Sequence, residues 1–417
     1  MEFTKVRDLL EHAAPYQKIR LEGEIRVPLA KTDKMFVGNR YSDALLTIDA
    51  PNVTLECSGA RLFLLIEEPP DRPIDLLHIK GGCERLVIKD LLIQIALRAP
   101  ASKEWVTAIR NDAFGVKLVD CRVEMISENQ INMIGIYNDG DRETHLETSA
   151  DNLSLEHCEI KAECRAEEFP FESEVIAFFN RVANSISMSN CFLYATNAGC
   201  GALQSAVGAY TNGRFGRFVG NNIKANGSHN AGVQLERARA VGFFNEGHYS
   251  LIVANNLIGE WAGQAVGLYN AGTFAKVSGN KILATHTVKG RSVQNVGNEC
   301  VFDGNILTST SRNPRLFDQA ARDCVISGNL MKALLGRSDL ISSCGIYAPN
   351  RAFDGNVIVG NRIIGVADCG LMIHGGIGIV RDNLVTSSDG MEPKKEADST
   401  DTVLFRKLDE RNIRSIG

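Results

Sequence analysis

The sequence predicts one all-β solenoid, a right-handed parallel β-helix of roughly 10–12 coils with a capping helix at its N-terminus. Three observations lead to this prediction. A short turn motif, apolar-x-Gly-Asn-x-apolar, recurs along the chain. The segments between the turns are short, alternate in polarity and are rich in the aliphatic and β-branched residues that strands prefer. Finally, the 38 Gly far outnumber the 11 Pro, which is typical of a chain that turns often on flexible residues.

The Asn of the motif marks the repeat. It falls at Asn221, Asn255, Asn280, Asn305, Asn329, Asn361 and Asn383, in steps of 34, 25, 25, 24, 32 and 22 residues. Helical repeats are longer and contain helices, leucine-rich repeats would show a Leu ladder, and propeller blades need about 40 residues. A β-helix with one coil per repeat fits best. We expect each marker Asn to bond its counterpart one coil away while its own backbone takes the left-handed conformation.

Cysteines fall into the same register. Cys121, Cys158 and Cys191 each follow the marker position of an earlier, weaker copy of the turn motif. Cys300 and Cys324 each precede a marker Asn by five residues. We expect columns of small buried side chains, with disulfide or metal chemistry as the alternative. Eleven cysteines, an odd number without a Cys-x-x-Cys pair, favour a reducing compartment.

Composition sets the class of protein and the limits of its parts. With 44% hydrophobic and 23% charged residues the chain is globular, and its net charge of −5 without a basic cluster argues against nucleic acid. No apolar run reaches the roughly 18 residues that span a membrane. We expect a capping helix in residues 1–15, the β-helix in 16–387, and a polar linker and tail in 388–417 that packs on the coil or on a neighbouring subunit. The N-terminus lacks a signal-peptide core, which predicts a cytoplasmic protein and leaves non-classical export or a phage origin open.

The Gly-Asn turns, the coil count and the opening stretch from Asn52 to Ala60 resemble the pectin-lyase-like superfamily of right-handed β-helices, from about Ile19 to Val385. The resemblance implies a carbohydrate-active enzyme that cleaves or rearranges glycosidic linkages of an oligo- or polysaccharide, as a hydrolase, a lyase or an intramolecular glycosyl transferase. It also implies a groove on the outer face and a homo-oligomer, with a trimer favoured. The Asp-Pro-His-Asp pattern of alginate epimerases and the Asp-Asp pairs of polygalacturonases are absent. A non-catalytic glycan-binding or structural β-helix is the alternative.

An aromatic stripe, about ten residues before each marker, gives the candidate binding face. Tyr137, Phe179, Tyr210 and Tyr269 align there, with Leu235-Glu236-Arg237 placed on the coil between the last two. We interpret the aromatic residues as internal packing. Their neighbours on the opposite side of each strand should then face outward and bind substrate, which predicts the contacting residues Asn138, Asn180 and Asn270.

Acidic residues near this stripe are the candidate catalysts. Asp139 and Asp141 lie in an acidic insertion, Glu236 stands beside the cation Arg237, and Glu246 lies in an apparent insertion over 241–250. Two carboxylates suit hydrolysis, and a base beside a cation suits β-elimination. Further substrate contacts are expected from Arg181, His248, Trp261 and Tyr269. The alternative for all of them is a solvated surface. No cofactor or metal site is predicted, although calcium held by loop carboxylates stays open.

Overall fold

The computed structural model describes residues 1–29, 35–37, 40–139, 150–166, 173–198, 205–227, 239–285, 287–334, 343–348, 355–366, 369–373 and 378–387, with side chains except at 35–37, 40–43, 369 and 387. One helix, Phe3–Glu11, precedes a right-handed parallel β-helix, so the predicted fold class is confirmed. Within these residues, no helix is both long enough and apolar enough to cross a membrane.

Each coil adds one strand to each of three sheets, here named A, B and C in chain order. Sheet A contains Lys18–Arg20, Thr54–Glu56, Val87–Lys89, Lys117–Val119, Ser154–Glu156, Ser187–Ser189, Arg217–Val219, Leu251–Val253, Lys276–Ser278, Val301–Asp303, Val325–Ser327, Val357–Val359 and Ile379–Arg381. Sheet B contains Glu24–Val27, Arg61–Ile66, Leu92–Leu97, Arg122–Ser127, Glu159–Cys164, Phe192–Asn197, Asn222–Asn226, Asn256–Glu260, Lys281–Thr285, Ile306–Ser309, Leu330–Ala333, Arg362–Val366 and Leu384–Ser387. Sheet C contains Met35–Val37, Arg40–Ile48, Ile74–Ile79, Trp105–Asn111, Asn132–Asn138, Glu174–Asn180, Ser205–Thr211, Arg239–Asn245, Gln264–Asn270, Lys289–Asn295, Asn313–Gln319, Cys344–Ala348 and Cys369–Ile373.

The strands of each sheet pair in parallel from one coil to the next, except that Met35–Val37 forms an antiparallel hairpin with Arg40–Ile48. We number the coils by their sheet C strand, from Arg40–Ile48 in coil 1 to Cys369–Ile373 in coil 12. The described residues therefore form twelve complete coils, followed by the sheet A and sheet B strands of a thirteenth.

Inward side chains of all three sheets fill one continuous core. Strands of sheet B alternate between half-exposed and buried positions, and bulky aromatic residues such as Phe178, Phe243 and Phe317 fill the interior completely. The helix Phe3–Glu11 buries Val6 and Leu10 in the same core, against the first coil. This contact removes one exposed end of the stack from solvent, where open strand edges would otherwise promote aggregation.

The marker asparagines form the expected ladder inside the coil. Asn255 shows the pattern: its side-chain amide donates to Asn280 Oδ1 at 3.0 Å, and its backbone N–H donates to the same oxygen at 2.8 Å. The predicted left-handed backbone was assigned one residue too late. The preceding residue takes it, as at Ala254 (φ 54°) and Gly279 (φ 65°), because this turn of the backbone aims the next side chain inward.

The cysteine columns are buried, as predicted. Cys191 stands in the marker column itself, and its backbone N–H donates to Asn221 Oδ1 at 2.9 Å. The described cysteines are all free thiols with buried side chains. In this part of the chain they act as small packing residues.

Candidate functional site

The asparagines of sheet C point inward, so their predicted outward orientation is wrong. Asn138, Asn180 and Asn270 are fully buried. They belong to a second ladder, in which Asn138 donates to Asn180 Oδ1 at 2.8 Å and Asn270 donates to Asn295 Oδ1 at 2.7 Å. Asn270 also donates to the Gly272 carbonyl at 3.1 Å, inside the turn that follows the strand. The ladder thus satisfies buried backbone groups of the turns, which is a structural role.

The aromatic residues occupy the outer face of sheet C, so their interpretation as internal packing is wrong. We call the column of Tyr137, Phe179, Tyr210, Phe244 and Tyr269 in coils 4 to 8 the aromatic stripe. Successive ring centroids are 5.4, 4.6, 5.3 and 4.4 Å apart. Part of the stripe packs with outward aliphatic residues such as Ile176 in an apolar cluster separate from the core. Because the rings stack on one another, they present mainly their edges to solvent.

A bend in each sheet C strand explains why simple alternation misplaced these residues. In coil 8 the outward residues Val266 and Tyr269 are three positions apart, with the inward pair Gly267 and Leu268 between them. A Cβ atom on Gly267 would lie 2.5 Å from Ile282 Cγ2 and 2.8 Å from the Leu283 carbonyl oxygen. The strand therefore bends inward at a position that has room only for a very small residue.

The register of coil 7 also differs from the prediction. Its sheet C strand is Arg239–Asn245, which places Phe244 and Asn245 between the rungs of Tyr210 and Tyr269. The segment 241–250 is thus strand and turn rather than an insertion. Glu236 and Arg237, which were assigned to this rung, lie outside the described residues, as does Asp141.

The remaining predicted residues border the stripe or lie away from it. The Glu246 carboxylate accepts a hydrogen bond from the Tyr210 hydroxyl, and His248 Nδ1 lies 2.8 Å from Thr273 Oγ1 in the turn that follows. Trp261 belongs to the turn before the coil 8 strand, at the opposite end from Tyr269, so roughly 17 Å of strand separates them. The structure brings Glu246 and Tyr269 to one stretch of the face and leaves Trp261 apart.

A charged cluster extends the column of the aromatic stripe towards the N-terminus. His78 and Arg110 stand in the two rungs next to Tyr137. Asp75 in the strand Ile74–Ile79 and three turn residues that follow the inner Asn ladder complete the group. We call it the charged cluster, and it consists of Asp75, His78, Arg110, Asp112, Tyr137, Asp139 and Arg181.

Arg110 is the centre of the charged cluster. Its Nη2 lies 2.9 Å from Asp139 Oδ2, its Nε lies 3.2 Å from Asp112 Oδ1, and its Nη1 lies 3.8 Å from Asp75 Oδ2. The guanidinium carbon stands 5.3 Å from the centroid of the Tyr137 ring. These contacts hold one cation among three carboxylates, a geometry in which loss of the cation would leave carboxylates that repel one another in a largely buried site.

Asp139 joins the buried part of the charged cluster to its exposed part. Its second oxygen, Oδ1, lies 3.4 Å from Arg181 Nη1, and the Tyr137 side chain interacts with both residues. Arg110 is only 4% exposed, whereas the side chain of Arg181 is 52% exposed. Asp139 is therefore held between a fixed internal cation and one that solvent or a ligand can reach.

Burial changes the acid–base properties of this group. Burial raises the pKa of Asp139 above its ordinary value; Arg110 opposes the rise, and the neighbouring Asp112 carboxylate adds to it. Burial also raises the pKa of Tyr137 to about 12, with Asp139 contributing. At neutral pH the phenol therefore keeps its proton, and Asp139 is a stronger base than an ordinary aspartate.

Asp139 and Arg181 were predicted from the sequence, whereas Asp75, His78, Arg110 and Asp112 were not. The missed residues carry a visible pattern once the inner ladder is known. Arg110-Asn111 and Tyr137-Asn138 share one register, so Arg110 replaces an aromatic residue of the outward column. Asp112 and Asp139 each follow the ladder Asn, as Arg181 does.

The spacing of the carboxylates limits the chemistry. Asp139 in coil 4 and Glu246 in coil 7 are three coils apart, about 14 Å at the backbone. Glycosidases hold their two carboxylates roughly 5–9.5 Å apart, so this pair does not suit hydrolysis. Among the described residues no group of three His, Cys, Asp or Glu side chains is arranged to hold a metal ion. A carboxylate base of raised pKa, beside a protonated phenol and an accessible cation, suits proton transfer next to a bound anion.

No protein-family model and no curated protein matches the sequence. Solved structures do match the fold. The A-module of Azotobacter vinelandii mannuronan C-5 epimerase AlgE4 superposes with a TM-score of 0.52 at 11% identity, over 88% of each chain. The AlgE6 A-module of the same organism gives 0.48 at 12% identity, over 88% of this chain and 91% of its own. Tailspike protein 3 of bacteriophage CBA120 gives 0.41 at 13% identity, over 94% and 59%. The chain thus has the right-handed parallel β-helix fold, which it shares with the AlgE4 A-module.

Proposed function

We propose that the chain is an enzyme acting on an acidic polysaccharide, and that it removes the proton from the sugar carbon next to a uronate carboxylate. The observation that carries the proposal is Asp139, a carboxylate of raised pKa held between Arg110 and Arg181 beside Tyr137, on the outer face of sheet C. The aromatic stripe leads away from this group along the solenoid axis, and provides a long floor for a polymer.

Arg181 is the residue that would receive the substrate carboxylate. Its half-exposed guanidinium contacts Asp139 Oδ1 at a relaxed 3.4 Å, so a uronate carboxylate can replace Asp139 as its partner. The exchange has two consequences. It neutralises the substrate carboxylate, which acidifies the adjacent C–H, and it frees Asp139 Oδ1 to act as a base, while Arg110 still holds Oδ2 at 2.9 Å.

The proton transfer then involves Asp139 as the base and Tyr137 as the acid. Asp139 takes the proton from the carbon next to the carboxylate, and the electron pair passes into the carboxylate bound by Arg181. Tyr137, whose pKa of about 12 keeps it protonated at neutral pH, is the acid. If the electron pair forms a double bond to the neighbouring carbon, the glycosidic C–O bond breaks and the leaving oxygen takes the Tyr137 proton. If Tyr137 returns a proton to the same carbon from the other face, the sugar is epimerised.

The AlgE4 A-module, named as a mannuronan C-5 epimerase, shares this fold at 11% identity, so its likeness supports the scaffold alone. The chain lacks the Asp-Pro-His-Asp pattern of alginate epimerases. The proposal therefore depends on this chain's own charged cluster.

A second candidate is a non-catalytic, glycan-binding or structural β-helix. One observation favours it: Asp75 and Arg110 are nearly fully buried and paired with one another, as a purely structural ion network would be. In that case the aromatic stripe would be a binding surface, and the charged cluster would fix the loops at its end.

Exchange of the sugar C–H with heavy water separates these functions. Oligomers of mannuronate, guluronate and galacturonate are incubated with the protein in deuterated buffer, and proton NMR follows the carbon next to the carboxylate. We expect solvent exchange or an unsaturated product with one of them, loss of both in Asp139→Asn, and loss of the unsaturated product in Tyr137→Phe. Glu246→Gln removes a carboxylate three coils away and is the matched control that should retain turnover. Exchange that survives Asp139→Asn would remove this residue as the base.

A further inference from the structure

The outer face of sheet C changes from apolar to cationic beyond coil 8. Arg291 in coil 9 takes the position that Val266 holds in coil 8, and Arg315 follows in coil 10. The column of the aromatic stripe continues through Asp318 in coil 10 and Tyr347 in coil 11. We call Arg291, Arg315, Asp318 and Tyr347 the distal cluster. The assigned chemistry at Asp139 does not use it.

Both arginines of the distal cluster lie close to the same carboxylate oxygen. Arg291 Nε lies 2.7 Å and Arg315 Nη1 lies 3.4 Å from Asp318 Oδ2. The Arg315 guanidinium carbon stands 3.8 Å from the centroid of the Tyr347 ring, a stacking distance. The arginine side chains are 21% and 33% exposed, so they are partly dehydrated and still reachable.

The charges of the distal cluster do not cancel. Arg291 and Arg315 are register partners on adjacent strands, about 4.8 Å apart at the backbone, where like charges destabilise a sheet. Asp318 neutralises one of them, and the exposed Arg312 adds a further cation close by along the chain. A guanidinium already fixed on an aromatic face loses little freedom when it binds a planar anion. The site therefore favours a second carboxylate or sulfate from outside.

We propose that the distal cluster is a second subsite that binds an anionic group of the same polysaccharide, a proposal that rests on the proposed function. Arg291 lies five coils from Tyr137, about 24 Å along the axis, and the aromatic stripe fills the interval. A polymer lying along sheet C would place one acidic group on Arg181 and another, several sugars away, on Arg291 and Arg315. This assigns the substrate class: a polysaccharide with acidic groups along its length, bound over a long stretch.

Binding of short and long oligosaccharides tests the subsite without turnover. Calorimetric titration compares trisaccharides and octasaccharides of mannuronate and of galacturonate, with an uncharged maltooctaose as reference. We expect an octasaccharide to bind the wild type more tightly than its trisaccharide. The variant Arg291→Gln/Arg315→Gln should lose about tenfold in octasaccharide affinity and leave the trisaccharide unchanged. The control Arg217→Gln/Lys281→Gln removes the same charge from sheets A and B and should behave as wild type. Equal octasaccharide affinities in the two double variants would overturn the proposal, as would failure of both octasaccharides to bind the wild type.

Asp318→Asn gives a second, independent result. It removes the internal carboxylate that competes for both arginines, so octasaccharide affinity should rise several-fold, and the rise should disappear at high salt. A network that only stabilises the fold would show no gain, which would contradict the subsite. If the octasaccharide binds through the arginines but no sugar C–H exchanges, the proposed function fails and the subsite stands. If the sugar C–H exchanges and the arginine double variant behaves as wild type in both the binding and the exchange assay, the subsite fails and the proposed function stands.

Discussion

Replacing Asn270 by Ala should destabilise the middle of the solenoid, because the side chain is a member of the buried ladder. Its amide donates to Asn295 Oδ1 at 2.7 Å and to the Gly272 carbonyl at 3.1 Å, and its oxygen accepts from Asn245 Nδ2 at 2.6 Å. Three buried hydrogen bonds at about 1 kcal/mol each give a loss of about 3 kcal/mol. The Asn245 amide still donates to the Gly247 carbonyl in the variant. An unsatisfied buried donor therefore adds little to the loss of stability.

The loss should be local, because each coil contacts only its neighbours. Hydrogen exchange followed by mass spectrometry is the assay: amides in 239–245, 264–270 and 289–295 should exchange about 100-fold faster at 3 kcal/mol. Asn256→Ala is the matched control. Its half-buried amide donates to Asn222 Oδ1 at 3.0 Å in sheet B, and we expect a loss of at most about 1 kcal/mol. Equal effects of the two substitutions would refute the distinction between ladder and surface asparagines.

Three further predictions concern charge and burial. The kcat/KM for an acidic polysaccharide should rise with pH through the raised pKa of Asp139, since the base must be ionised. Tyr137 keeps its proton up to a pH of about 12 and should cause no fall before it, so a wild-type pH–rate profile that falls well below that pH would contradict this. Arg110→Gln should lower the free energy of unfolding by about 3–5 kcal/mol in denaturant titrations, because it leaves its carboxylate partners without their buried cation; a loss under about 1 kcal/mol would argue against that role. Burial raises the pKa of Cys57 to about 12 and that of Cys83 to about 11, so neither thiol should react with iodoacetamide in the native protein at mildly alkaline pH, and rapid native labelling seen by mass spectrometry would be inconsistent with their burial.

The fold could be predicted from the sequence because the repeat is encoded locally. Each Gly-Asn pair specifies a left-handed turn residue followed by an inward amide, and the period between pairs leaves room only for short strands. The ladder that begins at Asn221 follows from that pattern alone. In the earlier coils Cys121, Cys158 and Cys191 stand in the column of the marker Asn. The residue before each of these cysteines was taken as the marker, so the marker position there was predicted one residue too early.

The orientation of sheet C could not be obtained in the same way. Alternation assigns Asn270 and Tyr269 to opposite faces, which is correct, but it does not say which face is inside. The inward bend at Gly267 decides this, and the close packing of Gly267 against Ile282 of another sheet is a contact that no local pattern reveals. The charged cluster depended on the same information, since Arg110 is recognisable only after its column is known to face outward.

The proposed function requires that an acidic sugar binds at the charged cluster with its carboxylate on Arg181. The most direct measurement is a crystal structure of the Asp139→Asn variant with an oligouronate that the wild type converts, since the variant should hold the substrate without turnover. We predict the uronate carboxylate within hydrogen-bonding distance of the Arg181 guanidinium, the adjacent C–H directed at residue 139, and the Tyr137 hydroxyl on the other side of that carbon or at the glycosidic oxygen. A ligand bound on sheet A or sheet B, or on the aromatic stripe with Arg181 unoccupied, would contradict the proposed function.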